Sequence, residues 1–342
     1  MADSSPSNST VDSYGFTRSA DDYDFKTYEE FMNKYLAVLS HRSLRWSTLM
    51  NENIPVKTSR KLKRFIRKGI PAEKRPLMWM YMSGAEERKQ SNPPLYGKLL
   101  QDKHDPQLIE AIKNDIHRTF PDNIYFQGGT DDSTSKRACL YNVLLAISHN
   151  NKKTGYCQGM NFITGMLLLV VKDEEKVFWL LDTLINVILP GYYTPDMTDV
   201  KVDCEVLGEL IKIKCPDVYA LAEKFGCAWS IVATKWFICL FVDVLPVETV
   251  LRIWDSLFFE GDKILFRVCI TLIKQNSAKI LKCRNFSEMM EVLRGMTSDA
   301  HVIDCHQFME NIFKEPGSLS RSLITKLRED CKRNLTANNS NN

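Results

Sequence analysis

The sequence predicts an all-α protein, organised as a single large multi-helix domain with short flexible termini. In three segments apolar residues recur at the i, i+3, i+4 and i+7 spacing of one buried helical face. These segments are residues 140–147, 177–184 and 265–272. The period-2 alternation typical of a half-buried strand is hard to find. We find no repeat of fixed period, which argues against a solenoid, and proline and glycine residues separate the apolar segments.

The composition is that of a globular protein without a strong charge bias. Hydrophobic residues make up 44% and charged residues 25% of the 342 residues, the usual balance for a soluble protein. The 45 Lys and Arg residues nearly match the 42 Asp and Glu residues, which gives a net charge of +3. We therefore expect no nucleic-acid partner. The length suffices for one large domain or two modest ones.

The two ends of the chain differ in composition from the middle. Residues 1–20 are rich in Ser and Asp and poor in aliphatic residues, and residues 335–342 end in Asn and Ser, so we predict a flexible tail at each end. Between the tails we predict a helical lead-in over 21–63, the main domain over 64–290 and a helical extension over 291–334.

The cysteine pattern and the apolar segments both favour a cytoplasmic protein. The ten cysteines form no CxxC pair and no Cys/His group with zinc-finger spacing, so we expect reduced thiols and no metal site. Residues 1–12 lack the apolar core of a secretory signal. The most apolar stretches, 162–171 and 231–246, are too short or interrupted by charges to cross a bilayer.

Residues 57–68 hold seven basic side chains beside a narrow apolar stripe. This pattern is typical of an amphipathic helix with a solvated basic face. A helix that contacts an anionic membrane surface would give the same pattern.

The first segment with chemical potential is residues 112–121. Its apolar spacing predicts a helix that carries Asp115 three residues before Arg118, within reach of an ion pair. Pro121 disfavours helical geometry at the residue before it, so we expect the helix to stop near Thr119, with Arg118 in the last turn. An ordinary structural ion pair would look the same.

The second segment, residues 155–161, is a glycine-containing corner. We expect Gly155 to close the helix that carries residues 140–147, and Gly159 to permit an unusual turn beside Gln158. A glutamine amide offers one acceptor and two donors, enough to hold a water molecule for attack. A corner whose glutamine caps backbone groups would share this pattern.

Together and in this order, the two segments resemble the finger motifs of the TBC domain, the Rab GTPase-activating family. The motif I-x-x-D-x-x-R is intact as Ile112, Asp115 and Arg118. The motif Y-x-Q is intact as Tyr156 and Gln158.

Two further motifs of the family flank the fingers. Residues 69–71 with Arg75 and Trp79 resemble its opening G-I-P-x-x-x-R-x-x-x-W, and residues 251–255 resemble its later R-x-W-D segment. We expect the tryptophans to serve the fold. The resemblance spans residues 64–290 and implies that the multi-helix domain is of the TBC type.

The resemblance implies that Arg118 is an arginine finger supplied in trans, which stabilises negative charge on a transferring phosphoryl group. It implies that Gln158 positions the attacking water. We expect Asp115, Tyr156 and Asn161 to support these two residues. No cofactor is expected for the chain itself, because GTP and Mg²⁺ would be carried by the partner, a Rab-family GTPase in its GTP-bound form. The chain has no G-x-x-x-x-G-K-[ST] loop of its own.

The implied function is a GTPase activator in vesicle trafficking and intracellular protein transport, which completes the partner's active site and has none for a substrate of its own. Membrane contact would come only through the partner or through residues 57–68. The alternative is a non-catalytic helical adaptor that binds a Rab or another partner, because a finger can be present and misplaced. No G-x-S-x-G or H-E-x-x-H motif supports an unrelated hydrolase.

Overall fold

Helices form most of the structure, which confirms the predicted all-α class. The computed structural model describes residues 9–19, 25–51, 57, 59–130, 135–152 and 154–340. One addition to the prediction is a small antiparallel hairpin near the N-terminus. Contacts divide the chain into two compact units, residues 1–65 with 69–182 and residues 66–68 with 183–342.

The first unit opens with the hairpin, whose strands are β1 (Ser9–Val11) and β2 (Thr17–Ser19), with Val11 paired to Thr17. The helices along this part of the chain are α1 (Phe25–Asn51), α2 (Arg60–Lys68), α3 (Arg75–Ser83), α4 (Ala85–Ser91), α5 (Leu95–Gln101), α6 (Pro106–Ile116), α7 (Lys136–Asn150), α8 (Met160–Val171) and α9 (Glu174–Thr183). Two single 3-10 turns lie at Ala72–Lys74 and Ile124–Phe126.

Helices α6, α7 and α8 carry the candidate site. Helix α6 begins at Pro106, which suits a first turn because the missing N–H would have no partner there. The side chain of Asp105 caps this helix by accepting from the Gln107 N–H, and Ser135 caps α7 in the same way. Helix α7 packs against both α6 and α8.

The opening motif of the family lies in the core of the first unit. Trp79 is fully buried, and Arg75 is only 1% exposed. The indole of Trp46, from α1, donates to the Gly69 carbonyl at 2.9 Å. A buried hydrogen bond therefore joins α1 to this motif. Helix α1 forms most of the helical part of the lead-in predicted over 21–63.

The second unit contains the remaining helices. It begins with one turn of π-helix at Leu184–Ile188, followed by α10 (Thr198–Lys214), α11 (Pro216–Lys224), α12 (Ser230–Ile238), α13 (Val247–Glu260), α14 (Lys263–Ile280), α15 (Phe286–Gly295), α16 (Ala300–Ile303), α17 (Cys305–Lys314) and α18 (Arg321–Ser340). Helix α10 packs against α11, α12, α14 and α18. The indole of Trp254 is buried and donates to the Leu240 carbonyl at 3.1 Å, in keeping with the expected structural role.

The three apolar faces predicted from sequence spacing are all buried. The residues concerned are Leu140, Val143, Leu144, Ile147, Val177, Leu180, Leu181, Leu184, Leu265, Val268, Cys269 and Leu272, none more than 1% exposed. The period of 3.6 residues therefore identified the core-facing side of α7, α9 and α14.

The termini contain more regular structure than their composition suggests. Of the predicted tail 1–20, residues 1–8 and 20 lie outside the described residues, and residues 9–19 form the hairpin. Of the predicted tail 335–342, residues 335–340 continue α18 and the last two lie outside the described residues. The flexibility of both ends stays a prediction.

The basic segment is an amphipathic helix where the structure describes it. In α2 the side chains of Leu62 and Ile66 are buried, whereas Lys61, Arg64 and Lys68 are exposed. This matches a helix with a solvated basic face. Contact with anionic lipid stays a prediction. Among the described residues, no helix is long and apolar enough to span a membrane.

An ion-pair cluster holds the last helix of the second unit. Arg328 of α18 donates to both carboxylate oxygens of Asp203 at 2.6 Å and lies 2.5 Å from Asp262. The Tyr192 hydroxyl also donates to Asp203, whose side chain is 1% exposed. Burial raises the pKa of Asp203 above its ordinary value, while the hydrogen bonds from Arg328 oppose that rise.

We predict that Arg328→Met lowers the free energy of unfolding by about 3 kcal/mol at pH 7, because it leaves a buried carboxylate without its cation. The pKa of Asp203 then rises further in the folded state, so the folded protein binds a proton more readily than the unfolded chain. The loss is therefore largest at neutral pH and shrinks as the pH falls towards the ordinary aspartate pKa. Urea denaturation at pH 7 and pH 5 measures both effects. Arg333→Met, on the same helix but 77% exposed, serves as the control, and an equal loss in both variants would contradict the prediction.

Candidate functional site

The first finger segment leaves its helix earlier than predicted. Helix α6 ends at Ile116, not near Thr119, so Arg118 lies two residues beyond the helix and not in its last turn. The Thr119 hydroxyl donates to the Asp115 carbonyl at 2.8 Å, the acceptor that its own N–H would use in an α-helix. That N–H instead donates to the Ile116 carbonyl at 3.1 Å, which tightens the turn.

The carboxylate of Asp115 holds the guanidinium of Arg118. Arg118 Nε donates to Asp115 Oδ1 at 2.8 Å, and Nη2 lies 2.6 Å from the same oxygen. The side chain of Asp115 is 12% exposed, whereas that of Arg118 is 48% exposed. The guanidinium is thus anchored along one edge, and the rest of the group faces solvent.

The other oxygen of the same carboxylate binds the second finger segment. The Tyr156 hydroxyl donates to Asp115 Oδ2 at 2.5 Å. Burial, together with the hydrogen bond to this carboxylate, raises the pKa of Tyr156 well above its ordinary value. The phenol therefore stays protonated at neutral pH and remains a donor. Asp115 consequently joins both motifs through its two oxygens.

The second finger segment turns through two glycines. Helix α7 ends at Asn150, and Gly155 lies in the following turn, where its N–H donates to the Asn151 carbonyl at 2.7 Å. Gly155 therefore does not close α7 directly, because the chain makes a further turn first. Gly159 has a φ of 104° and is the N-cap of α8, as expected for the unusual turn. Gln158, just before it, is exposed.

Asn161 forms the second link between the segments. It is completely buried, its Oδ1 accepts from the Gly159 N–H at 3.1 Å, and its Nδ2 donates to Thr119 Oγ1 at 2.8 Å. The side chain thus fixes the turn beside Gln158 and ties it to the residue after Arg118. This placement agrees with the bracing role that we expect for Asn161, although the role itself stays a prediction.

Sequence reasoning missed the role of Phe120, the residue after Thr119. Phe120 has a φ of 50°, a left-handed conformation that costs a residue with a side chain roughly 1–3 kcal/mol. Its ring packs against Phe126 and Phe162 at centroid distances of 5.5 and 5.8 Å. Gly165 of α8 makes room, since a Cβ there would lie 2.8 Å from the Phe120 ring. The signals available were Pro121, which disfavours right-handed helix at Phe120, and a glycine inside an apolar helix.

The site has no metal-binding arrangement of its own. Among the described residues, no group of three or more His, Cys, Asp and Glu side chains is arranged to hold a metal ion. The ten cysteines are free thiols. Burial, followed by the nearby charge of Asp115, raises the pKa of Cys157, which lies between Tyr156 and Gln158. This residue therefore stays a neutral thiol and is poorly suited to nucleophilic chemistry.

A comparison with known protein families shows to which family the chain belongs. The Rab-GTPase-TBC domain family model matches residues 72–281, which is more than half of the chain. The chain belongs to the Rab-GTPase-TBC domain family. The match lies inside the predicted domain 64–290, whose outer boundaries stay a prediction.

Individual relatives agree with this assignment. The chain is 52% identical to growth hormone-regulated TBC protein 1-A of Danio rerio, over 97% of this chain and 92% of that protein. It is 49% identical to growth hormone-regulated TBC protein 1 of Homo sapiens, over 96% of each. The crystal structure of the Chlamydomonas flagellar RabGAP TBC domain matches with a TM-score of 0.75 and 31% identity, covering 89% of this chain and all of that domain.

Within the family, the sequence resembles one group of proteins in particular. The modest length of the chain and the segment Tyr14-Gly15-Phe16 favour a resemblance to the growth hormone-regulated TBC proteins in particular, and the relatives confirm it.

The structure connects four of the five predicted site residues. Asp115 binds Arg118 and Tyr156 directly, and Asn161 joins the two segments through Thr119. The fifth, Gln158, lies on the second segment, but within the described part of the chain no hydrogen bond joins its amide to Arg118. The two candidate fingers are therefore held by a shared framework and not by each other.

We predict that Gly165→Ala lowers the free energy of unfolding by about 1–3 kcal/mol, because the new methyl group would overlap the Phe120 ring and crowd Thr119. Gly97→Ala is the matched control, since Gly97 lies in α5 with nothing within 4 Å of a Cβ. There alanine should stabilise the helix by up to about 1 kcal/mol. Urea denaturation of both variants checks the difference, and a Gly165→Ala protein as stable as Gly97→Ala would refute close packing at Phe120.

Proposed function

We propose that this TBC protein accelerates GTP hydrolysis by a Rab-family GTPase, to which it supplies Arg118 and Gln158 in trans. Membership of the Rab-GTPase-TBC domain family supports action on a Rab in general terms. The similar Chlamydomonas domain, described as a RabGAP TBC domain, points the same way.

One observation supports the dual-finger mechanism more than any other. Asp115 accepts from Arg118 on one oxygen and from Tyr156 on the other. Both motifs are thereby brought to one place, with Arg118 and Gln158 exposed and the Asp115 carboxylate that joins the motifs buried. A buried carboxylate that orients an exposed guanidinium is the arrangement that a preorganised arginine finger requires.

The chemistry follows from the charge of phosphoryl transfer. Negative charge builds on the γ-phosphoryl and bridging oxygens as the bond to the leaving group lengthens. A guanidinium held in advance stabilises that charge better than water, and its planar fork can engage two oxygens where an ammonium engages one. Such a finger accelerates hydrolysis by about 10³–10⁵, equivalent to roughly 4–7 kcal/mol of barrier.

We assign to Gln158 the role of positioning the attacking water. Its amide can accept a hydrogen bond from the water and donate another to a phosphate oxygen. The turn at Gly159 and the Asn161 side chain restrict the backbone that carries Gln158, which lowers the entropy cost of placing the amide. In this assignment the TBC protein contributes the glutamine as well as the arginine.

The partner is a Rab in its GTP-bound form, which carries the nucleotide and Mg²⁺. The chain needs no cofactor in this scheme. We place its action at endomembranes in vesicle trafficking, where the Rab partner recruits it from the cytoplasm.

The alternative remains a helical adaptor that binds a Rab without stimulating hydrolysis. Both proposals share the docking step, so binding alone does not separate them. The hydrogen-bonded framework around Arg118 favours the catalytic proposal, because an arginine finger must be oriented before the phosphoryl group reaches it.

The first test is single-turnover GTP hydrolysis across a panel of Rab proteins, with wild type, Arg118→Lys and Gln158→Ala. We expect wild type to accelerate at least one Rab and Arg118→Lys to lose at least a hundredfold, because lysine keeps the charge and loses the fork. Gln158→Ala should lose at least tenfold. Arg45→Lys and Gln107→Ala, exchanges at exposed positions outside the site, are the matched controls and should behave as wild type.

The outcome separates the two candidate functions. Acceleration that survives Arg118→Lys would contradict the arginine finger. Binding of a Rab without acceleration by wild type would make the adaptor the better assignment.

A second test concerns Asp115 as the residue that positions Arg118. Asp115→Asn keeps the shape but loses the charge that holds the guanidinium, so we expect the maximal rate of Rab GTP hydrolysis to fall about tenfold. The concentration for half-maximal rate should stay within twofold, since Asp115 is too buried to contact the partner. A change confined to that concentration would instead indicate a role in docking.

A further inference from the structure

We propose that the tip of the N-terminal hairpin, residues 12–17, is a positioning element for Arg118. The inference rests on the proposed function of Arg118 and extends it to a segment outside the family match at 72–281. The hairpin acts on the loop that follows the arginine, residues 119–126, and fixes the path of the chain as it leaves the finger.

Backbone hydrogen bonds attach the hairpin tip to this loop. The Ile124 N–H donates to the Gly15 carbonyl at 2.9 Å, and the Thr17 N–H donates to the Asp122 carbonyl at 3.2 Å. Between these bonds, Phe16 and Asn123 form an antiparallel bridge. The tip therefore pairs with the loop much as one strand pairs with its neighbour.

A buried amide strengthens the attachment. Asn123 is completely buried, and its Nδ2 donates to the Tyr14 carbonyl at 2.9 Å. Its Oδ1 accepts from the Tyr125 N–H at 3.0 Å. One side chain thus links the hairpin to the loop and shapes the loop as well. Loss of the hairpin would leave a buried donor without its partner, which is unfavourable.

Phe16 provides the contact nearest to the finger. Its ring meets that of Phe120 edge-on at a centroid distance of 5.1 Å. Phe120 lies two residues after Arg118 and adopts a left-handed backbone conformation. A strained conformation persists only where the surroundings hold it. Phe16 is the part of those surroundings that the hairpin contributes, beside Phe126 and Phe162.

Hydrogen bonds within the turn shape the hairpin tip, and a further bond anchors it at a second point. The Asp12 carboxylate accepts from the Tyr14 and Phe16 N–H groups at 2.9 and 3.0 Å, which fixes the turn. Gly15 turns the chain with a φ of 88°. The Tyr14 hydroxyl accepts from Arg75 Nη1 at 3.1 Å. The tip is thus hydrogen-bonded to the opening motif of the TBC domain as well as to the loop of residues 119–126.

These contacts place no hairpin side chain on Arg118 itself. The hairpin therefore acts on the position of the finger and not on the reacting atoms. Its weakening should lower the maximal rate of Rab GTP hydrolysis while docking of the Rab is retained. A small displacement of a reacting group can cost a large rate factor, so an effect of about tenfold is expected.

The test compares Phe16→Ala, Phe16→Leu and the control Val11→Ala in the full chain. Val11 is 49% exposed on β1, where it lies just before the hairpin tip. Two quantities are measured: hydrolysis at varied concentration of a GTP-loaded Rab that wild type accelerates, and hydrogen exchange of the backbone amides over residues 117–126. Circular dichroism against temperature confirms that each variant is folded.

We expect Phe16→Ala to lower the maximal rate about tenfold, to leave the half-maximal concentration within twofold and to raise amide exchange in residues 117–126. Phe16→Leu, which restores apolar volume beside Phe120, should recover most of the loss. Val11→Ala should match wild type. An unchanged maximal rate in Phe16→Ala would overturn the proposal, whether or not exchange rises. A loss matched by Val11→Ala would overturn it too.

The two readouts separate this inference from the proposed function. If wild type accelerates no Rab, the proposed function fails, and the hydrolysis measurement can no longer report on the hairpin. Amide exchange still reports on the hairpin: unchanged exchange in Phe16→Ala would then overturn the bracing of the loop independently.

Discussion

The buried carboxylate of Asp115 is the interaction on which the candidate site depends. It accepts from Arg118 through one oxygen and from Tyr156 through the other, so a single side chain joins segments about 40 residues apart. A carboxylate can do this because its two oxygens accept in different directions. Asn161 adds a second link through Thr119. With both links, the exposed Arg118 and Gln158 are carried by one hydrogen-bonded framework.

That framework also accounts for the strain beside it. The Thr119 hydroxyl donates to the Asp115 carbonyl and accepts from Asn161. Because the hydroxyl takes the place of the helical N–H at that carbonyl, the helix ends and the chain turns directly after it. Pro121 then disfavours the right-handed helical conformation at Phe120, and the residue takes the left-handed one. Aromatic packing stabilises Phe120 in this conformation, and Gly165, which has no side chain, leaves room for the ring. The turn after the arginine is therefore specified by several residues, each with a separate reason.

Sequence reasoning led to the fold class and to the candidate site residues by different routes. Helical periodicity alone located the buried faces of α7, α9 and α14, because apolar burial follows the helix period directly. Arg118 and Gln158 were identified only through the motifs of the family, since a lone Asp–Arg pair or glutamine corner carries no such information. The early end of α6 escaped, because a threonine hydroxyl competing for a helix carbonyl leaves no mark in apolar spacing. The hairpin escaped too, because its strands have three residues each and are held by a distant loop and not by alternation.

The ion pair at the site has a consequence for how a partner finds it. Arg118 is already matched by Asp115 in the free protein, so an approaching molecule meets a dipole and not an isolated positive charge. The field of a dipole falls off faster with distance than that of a single charge, and salt screens what remains. Arg118 therefore adds little to long-range steering and contributes its charge only at contact. The Arg118–Asp115 pair therefore contributes little to any dependence of the encounter rate on ionic strength.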